Sequence, residues 1–161
     1  MARIAILTAS DRGARGRRAD TSGDAIEAAV TGAGHSVIGR MVVADDAALI
    51  SDALKAWCDR GAADVVITTG GTGLTPRDVT PEATLLVADR EVPAIPIALA
   101  IEGLKHTPFA ALSRGVAVTR KKTLIINLPG SPKAVADGLV VLLPLLDHVA
   151  DLLAGPVEHG D

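Results

Sequence analysis

The sequence predicts a three-layer α/β/α sandwich around a mostly parallel central sheet. Three observations carry this expectation. Short apolar runs alternate with longer segments of helical period, the pattern of strand–helix–strand units. One run, Asp64 to Thr69, is apolar without alternation, as a strand covered on both faces must be. The chain has 161 residues, a length that suits one domain over 1–161 and can bury a core without staples.

The elements follow in order. Arg3 to Thr8 is a short apolar run and reads as a buried strand. Ser10 to Asp20 is polar and rich in arginine and glycine, hence a loop. Thr21-Ser22-Gly23-Asp24 places a hydroxyl three residues before an acid, the pattern of a helix start. Ile26, Ala29, Val30 and Ala33 then share one helical face, and Gly32 and Gly34 stop the helix. Ser36 to Val43 forms a second strand. Asp45 or Asp46 caps a helix whose inner face is Ile50, Ala53, Leu54 and Trp57, ended by Gly61. Asp64 to Thr69 is the central strand. Pro81 to Asp89 and Ala94 to Lys105 suggest helices. Gly115 to Thr119 and Thr123 to Leu128 read as strands joined by Arg120-Lys121-Lys122. Ser131 to Leu153 is helical with a break at Pro144.

Composition narrows the function. The net charge of −3 argues against nucleic-acid binding by bulk electrostatics. Aromatic residues are 1% of the chain, Trp57 and Phe109, so a heterocyclic ligand would be held by hydrogen bonds and aliphatic contacts. The single cysteine, Cys58, excludes an internal disulfide and a thiolate cluster. The apolar run in MARIAILTASDR is too short for a signal peptide, and no unbroken apolar stretch is long enough for a bilayer. The expectation is a soluble cytoplasmic protein without a membrane or nucleic-acid partner. His35, His106, His148 and His159 are scattered without metal spacing, and Ser10-Asp11 has no histidine partner for a hydrolase triad.

In parallel sheets ligands sit outside the carboxyl ends of the strands. That rule selects Thr8 to Arg18, Val43 to Asp46, Thr69 to Thr80 and Leu128 to Lys133. In Gly70-Gly71-Thr72-Gly73 the glycines let backbone N–H groups approach an anion, and Thr69 and Thr72 add hydroxyls. A tight strand exit explains the glycines equally well; neither the P-loop nor the dinucleotide spacing is present. Thr80 before Pro81 can cap the next helix, which leaves Asp78 free to bind Mg²⁺ or orient a nucleophile. Arg77 either holds a phosphate or pairs with a nearby acid. Asp45 at a second strand exit can share a divalent cation with Asp78, or cap a helix as Asp46 can. Ser131 either caps the last helix or binds a ligand. Lys133 sits in that helix's first turn against the dipole, which a bound phosphate would explain. Arg12, Arg15, Arg17 and Arg18 read as a solvated surface, with attraction of a polyanion as the alternative.

Ser10-Asp11-Arg12, the run Thr68 to Thr84, Ala88-Asp89-Arg90-Glu91, Leu112-Ser113-Arg114 and Asn127 to Lys133 together resemble the molybdopterin adenylyltransferase family, the MogA and MoaB proteins related to the gephyrin G domain. The resemblance runs over almost the whole chain. Asp20-Thr21-Ser22-Gly23 and the short length look closer to the MoaB branch. The resemblance implies transfer of AMP from MgATP to the terminal phosphate of molybdopterin, with release of pyrophosphate, ahead of molybdate insertion. It implies that Asp45 and Asp78 hold Mg²⁺ and support transfer, and that Gly70 to Gly73 with Thr69 bind phosphate. It also implies that Ser10, Asp11, Ser113, Arg114, Pro129, Gly130, Ser131 and Lys133 help form the pterin and phosphate pockets. A homotrimer is expected, with the aliphatic surface around Ala94 to Leu104 as a candidate interface, and other molybdenum cofactor enzymes as partners. A pterin-binding carrier without catalysis is the alternative.

Overall fold

A computed structural model describes residues 1–155. Its elements are β1 (Arg3–Ala9), α1 (Asp11–Ala14), α2 (Thr21–Gly32), β2 (Ser36–Val43), α3 (Ala47–Asp59), β3 (Val65–Thr69), α4 (Thr80–Leu86), β4 (Arg90–Glu91) and α5 (Ala94–Leu104). A 3-10 turn, Pro108–Leu112, leads to β5 (Ala117–Arg120), β6 (Thr123–Leu128), α6 (Pro132–Leu142) and α7 (Leu146–Ala154). The six strands make one sheet in the order β2-β1-β3-β6-β5-β4. The first four run parallel, and β5 and β4 are antiparallel additions at one edge.

The core divides by strand parity. Ile4, Ile6, Val65, Ile67, Ile126 and Leu128 face Ile26, Val30, Val135, Leu139, Leu142 and Leu146 on one side. Ala5, Leu7, Val66 and Ile125 face Ile50, Ala53, Leu54 and Ala83 on the other. Alternate side chains point to opposite faces of a strand, so a sheet covered twice needs apolar residues at every position. β3 is buried throughout for that reason. This is the expected three-layer sandwich. Among the described residues no helix is long and apolar enough to cross a membrane.

Several local expectations are corrected. Asp20, not Thr21, caps α2: its carboxylate accepts the Gly23 N–H at 3.0 Å. Ala33 is exposed at the helix end, before Gly34 at φ +88°. The Ser10–Asp20 segment contains the helical turn α1, capped by Ser10. The helix from Thr80 stops at Leu86, because Asp89 and Val92 donate to Thr119 and Ala117 carbonyls and draw the chain into β4. Two residues of strand show no period, so the sequence could not announce it. Thr80 is not the cap: Val79 occupies that position without a side-chain bond, and the buried Thr80 hydroxyl has no partner among the described residues. The break at Pro144 is a 3-10 turn, Leu143–Leu145. His35 is buried and accepts the Ala2 N–H at 3.2 Å, a structural role; His159 lies outside the described residues.

Asn127 ties the sheet to α4 and β5. Its amide donates to the Thr68 and Thr84 hydroxyls, both at 3.0 Å, and its oxygen accepts the Val116 N–H at 3.1 Å. Asn127→Ala removes these bonds and strands buried polar groups, so it should cost about 2–3 kcal/mol in urea unfolding. A loss under about 1 kcal/mol would mean that solvent or rearrangement replaces the network.

Candidate functional site

The carboxyl ends of β1, β2, β3 and β6 gather at one edge because those strands are parallel. β5 is antiparallel to β6, so its entry segment, Ser113 to Val116, arrives at the same edge. Two cavities open there. The first, about 400 Å³, is lined mainly by polar groups that include Thr8, Ser10, Arg18, Asp20, Asp45 and Asp78. The second, about 580 Å³, is bounded by Thr72, Gly73, Ser113 and Pro129 and by apolar residues such as Leu99 and Phe109. Gly71, Asp78, Gly130 and Ser131 belong to both.

The wall between them is a glycine loop held under tight contact. Gly70 and Gly71 have φ of +88° and +68°. A Cβ at Gly70 would strike the Ala9 carbonyl oxygen, and one at Gly71 would strike the Thr80 hydroxyl. The Gly70 N–H donates to Leu128. The N–H groups of Gly71, Thr72 and Gly73 make no hydrogen bond among the described residues, which leaves three donors for an anion. The opposite wall is clamped from two sides. Ser22 donates to the Gly130 carbonyl and Thr69 to that of Pro129, both at 2.7 Å. Ser131 caps α6 through the Ala134 N–H at 3.1 Å and still lines both cavities.

The two adjacent acids divide cleanly. Asp46 caps α3, accepting the Leu49 N–H at 3.0 Å. Asp45 turns into the first cavity. It exchanges hydrogen bonds with Asp11: Asp11 N–H donates to Asp45 Oδ2, and Asp45 N–H donates to Asp11 Oδ1, each at 3.0 Å. Arg77 grips the same Asp11 at 2.9 and 3.0 Å, so Arg77 is the ion-paired residue of the two alternatives. That guanidinium holds the Asp11 carboxyl below its usual range. Asp11 lines neither cavity; it fixes Asp45 and Arg77.

Burial pushes the Asp45 carboxyl above its usual range, and the nearby charges of Asp11 and Asp78 act in the same direction, against the Asp11 N–H and Arg77. The sign for stability follows. A folded pKa above the unfolded one means that the ionised form opposes folding at neutral pH, and that this cost disappears below the unfolded value. Asp45→Asn should therefore raise the melting temperature at pH 7, with the gain vanishing near pH 3. A loss of stability at pH 7 would assign Asp45 a net structural role.

Asp78 Oδ2 accepts from the N–H and hydroxyl of Thr75 at 2.9 and 2.7 Å. Oδ1 of Asp45 and Oδ1 of Asp78 accept no hydrogen bond among the described residues. Both carboxylates lie against the same loop: a Cβ at Gly71 would stand 3.3 Å from Asp45 Oδ1, and one at Gly73 would stand 2.9 Å from Asp78 Oδ2. Two hard oxygen donors fit Mg²⁺, which takes one or two carboxylates and completes its shell with water and substrate phosphate. No cluster of three protein ligands exists among the described residues, so a dedicated all-protein metal cage does not fit.

Besides Asp11, two expected residues sit elsewhere. Arg114 lines neither cavity; its guanidinium donates to the carbonyls of Gly73 and Asp78 at 2.7 and 2.8 Å and pairs with Glu82, bracing the loop from outside. Lys133 is exposed on the first turn of α6 and also lines neither. Five polar residues of the first cavity lie outside the expected site residues: Thr8, Arg18, Asp20, Thr21 and Ser22. Thr8 and Asp20 are joined by a 2.9 Å hydrogen bond, and Arg18 was read as a surface charge. The signal for Asp20 was the Asp-Thr-Ser-Gly run itself, a polar cluster facing the end of β1.

This geometry has counterparts. A family described as "Probable molybdopterin binding domain" matches residues 5–148. Molybdopterin adenylyltransferase of Helicobacter pylori strain J99 is 40% identical over 157 residues, which cover 94% of this chain and 88% of that protein. The molybdenum cofactor synthesis protein cinnamon of Drosophila melanogaster is 41% identical over 155 residues, 95% of this chain; the match spans only 26% of that longer protein. The crystal structure of the molybdopterin biosynthesis enzyme MoaB from Thermus thermophilus superposes with a TM-score of 0.90 at 47% identity, covering 97% of this chain and 98% of that one. The fold, the glycine loop and the two carboxylates thus occur in a chain that belongs to the molybdopterin-binding domain family.

Proposed function

We propose that this chain, acting as one domain over 1–161, is a molybdopterin adenylyltransferase of molybdenum cofactor biosynthesis. It binds molybdopterin and transfers AMP from MgATP to the pterin's terminal phosphate, giving adenylyl-molybdopterin and pyrophosphate. The observation that carries the reading is the meeting of Asp45, Asp78 and the Gly71–Gly73 donors at one edge, between a polar and a largely apolar cavity. Relatives of that activity align over most of the chain.

Joining two anionic substrates is chiefly a problem of position and charge. Mg²⁺ held by Asp45, Asp78 and nucleotide phosphate would neutralise charge at the reacting phosphorus. The remaining work belongs to the chain. The N–H groups of Gly71, Thr72 and Gly73 meet phosphate oxygens without reorganisation, since Arg114 and Asp78 brace the loop. Asp11 and Arg77 keep Asp45 aimed at the cavity. Ser113, Pro129, Gly130 and Ser131 wall the cavity that takes the second substrate. Among the described residues no histidine lines either cavity, and a phosphate nucleophile requires no base.

The test is incubation with molybdopterin and MgATP while pyrophosphate is followed. Release that needs both substrates supports the reading. Tight pterin binding without pyrophosphate would make the chain a carrier, and ATP use without pterin a generic phosphotransferase. We further propose a cytoplasmic homotrimer, consistent with MgATP as co-substrate. Ile97, Ile101 and Leu104 of α5 are 59%, 59% and 50% exposed and supply apolar interface material. Light scattering tests the trimer, and cell fractionation the compartment.

A further inference from the structure

The first cavity contains three carboxylates, Asp20, Asp45 and Asp78, and one cation, Arg18. A triphosphate entering it meets negative charge on most sides. Three other arginines near this edge are already engaged. Arg40 pairs with Asp20, Asp24 and Glu27 at 2.8, 2.9 and 2.5 Å. Arg77 is held by Asp11, and Arg114 by Glu82 and two carbonyls. Arg18 is exposed, forms no ion pair or side-chain hydrogen bond among the described residues, and lines the cavity. Its root is not loose. Asp20, two residues on, is fixed by the Thr8 hydroxyl, the Gly23 N–H and Arg40. Arg12, Arg15 and Arg17 share the segment but do not line the cavity.

We infer that Arg18 is a catalytic cation that binds the β- and γ-phosphates of ATP and stabilises pyrophosphate as it leaves. The inference rests on the adenylyl-transfer reading. An oxygen of the pterin's terminal phosphate forms a bond to the α-phosphorus. The bond from that phosphorus to the oxygen shared with the β-phosphorus breaks, and its electron pair stays on the departing pyrophosphate. Negative charge therefore grows on the leaving group. A guanidinium, which stays protonated throughout, opposes that charge with a planar fork of donors matched to phosphate. No proton or co-reactant is needed from Arg18.

The experiment compares Arg18→Ala, Arg18→Lys and Arg17→Ala in the full chain. Each is assayed for pyrophosphate release with MgATP and molybdopterin varied, and for inhibition by added pyrophosphate. Arg18→Ala should lower kcat/KM for MgATP by roughly tenfold or more, the effect of losing one charge-stabilising donor at an open rim. The inhibition constant for pyrophosphate should rise in parallel, while the Kd for molybdopterin stays unchanged. Arg18→Lys should recover part of the loss, as a point charge without the fork. Arg17→Ala should behave as wild type. Wild-type kinetics with MgATP in Arg18→Ala would overturn the inference, as would a defect confined to molybdopterin binding. If the wild-type chain releases no pyrophosphate, the adenylyl-transfer reading fails by itself. Arg18 is then judged by titration with magnesium pyrophosphate alone, where Arg18→Ala must weaken binding at least tenfold for the site to stand.

Discussion

Asp78→Asn should leave molybdopterin bound and slow pyrophosphate release at least about a hundredfold, the scale of losing one strong electrostatic contact in a preorganised site. The substitution is nearly isosteric. An asparagine oxygen can still accept from the Thr75 N–H and hydroxyl, the bonds that close the loop on Asp78. Arg114 holds the Asp78 backbone carbonyl, which the change does not touch. Geometry is therefore kept while the charge facing both cavities is removed. The loss should fall on kcat, since Thr72, Ser113 and Pro129, which also wall the second cavity, are unaltered. Unchanged turnover would remove Asp78 from the reaction. A large drop in melting temperature would make its role one of folding.

Gly70→Ala should have the largest structural effect. The residue has φ of +88°, and a Cβ would strike the Ala9 carbonyl, a backbone atom that cannot swing aside. Left-handed backbone costs a side-chain-bearing residue about 1–2 kcal/mol, and an overpacked contact adds about 1–3 kcal/mol. The expected sum, about 2–5 kcal/mol, approaches the whole stability of many domains. The chain supplies its own control. Gly34 has the same φ of +88° but open space around its would-be Cβ, so Gly34→Ala should show the backbone cost alone, about 1–2 kcal/mol. Urea unfolding of both variants separates the two terms. Equal losses would mean that the Ala9 contact relaxes freely.

The layers were legible because their causes are local. Apolar runs and helical faces are written directly into Ile4 to Leu7, Val65 to Ile67 and Ile50 to Leu54. The glycine loop was legible because few other residues tolerate its backbone. What escaped depends on partners distant in sequence. Thr80 loses its capping role because its backbone N–H donates to Gly71 and its hydroxyl is turned against that residue. Asp45 and Asp46 have the same side chain, and only the start of α3 decides which one caps. Arg114 is a brace because β5 runs against its neighbour and brings Arg114 behind the loop. β4 exists only as the edge partner of β5 and has no pattern of its own.

The sheet order carries a consequence for how the chain is made. Among the described residues β6 is the last strand in sequence, yet it lies between β3 and β5. Until Thr123–Leu128 is synthesised, β3 keeps an open, wholly buried-type edge, and β5 with β4 has nothing to join. An emerging chain is thus two unfinished half-sheets, with the unpaired edge that templates aggregation. Closure comes from six residues near the end, and it brings Pro129, Gly130 and Ser131 against the glycine loop in the same step. Assembly of the sheet and completion of the proposed phosphate site are one event, so a fragment ending before Thr123 should neither fold nor retain nucleotide, which limited proteolysis and nucleotide titration of that fragment would check.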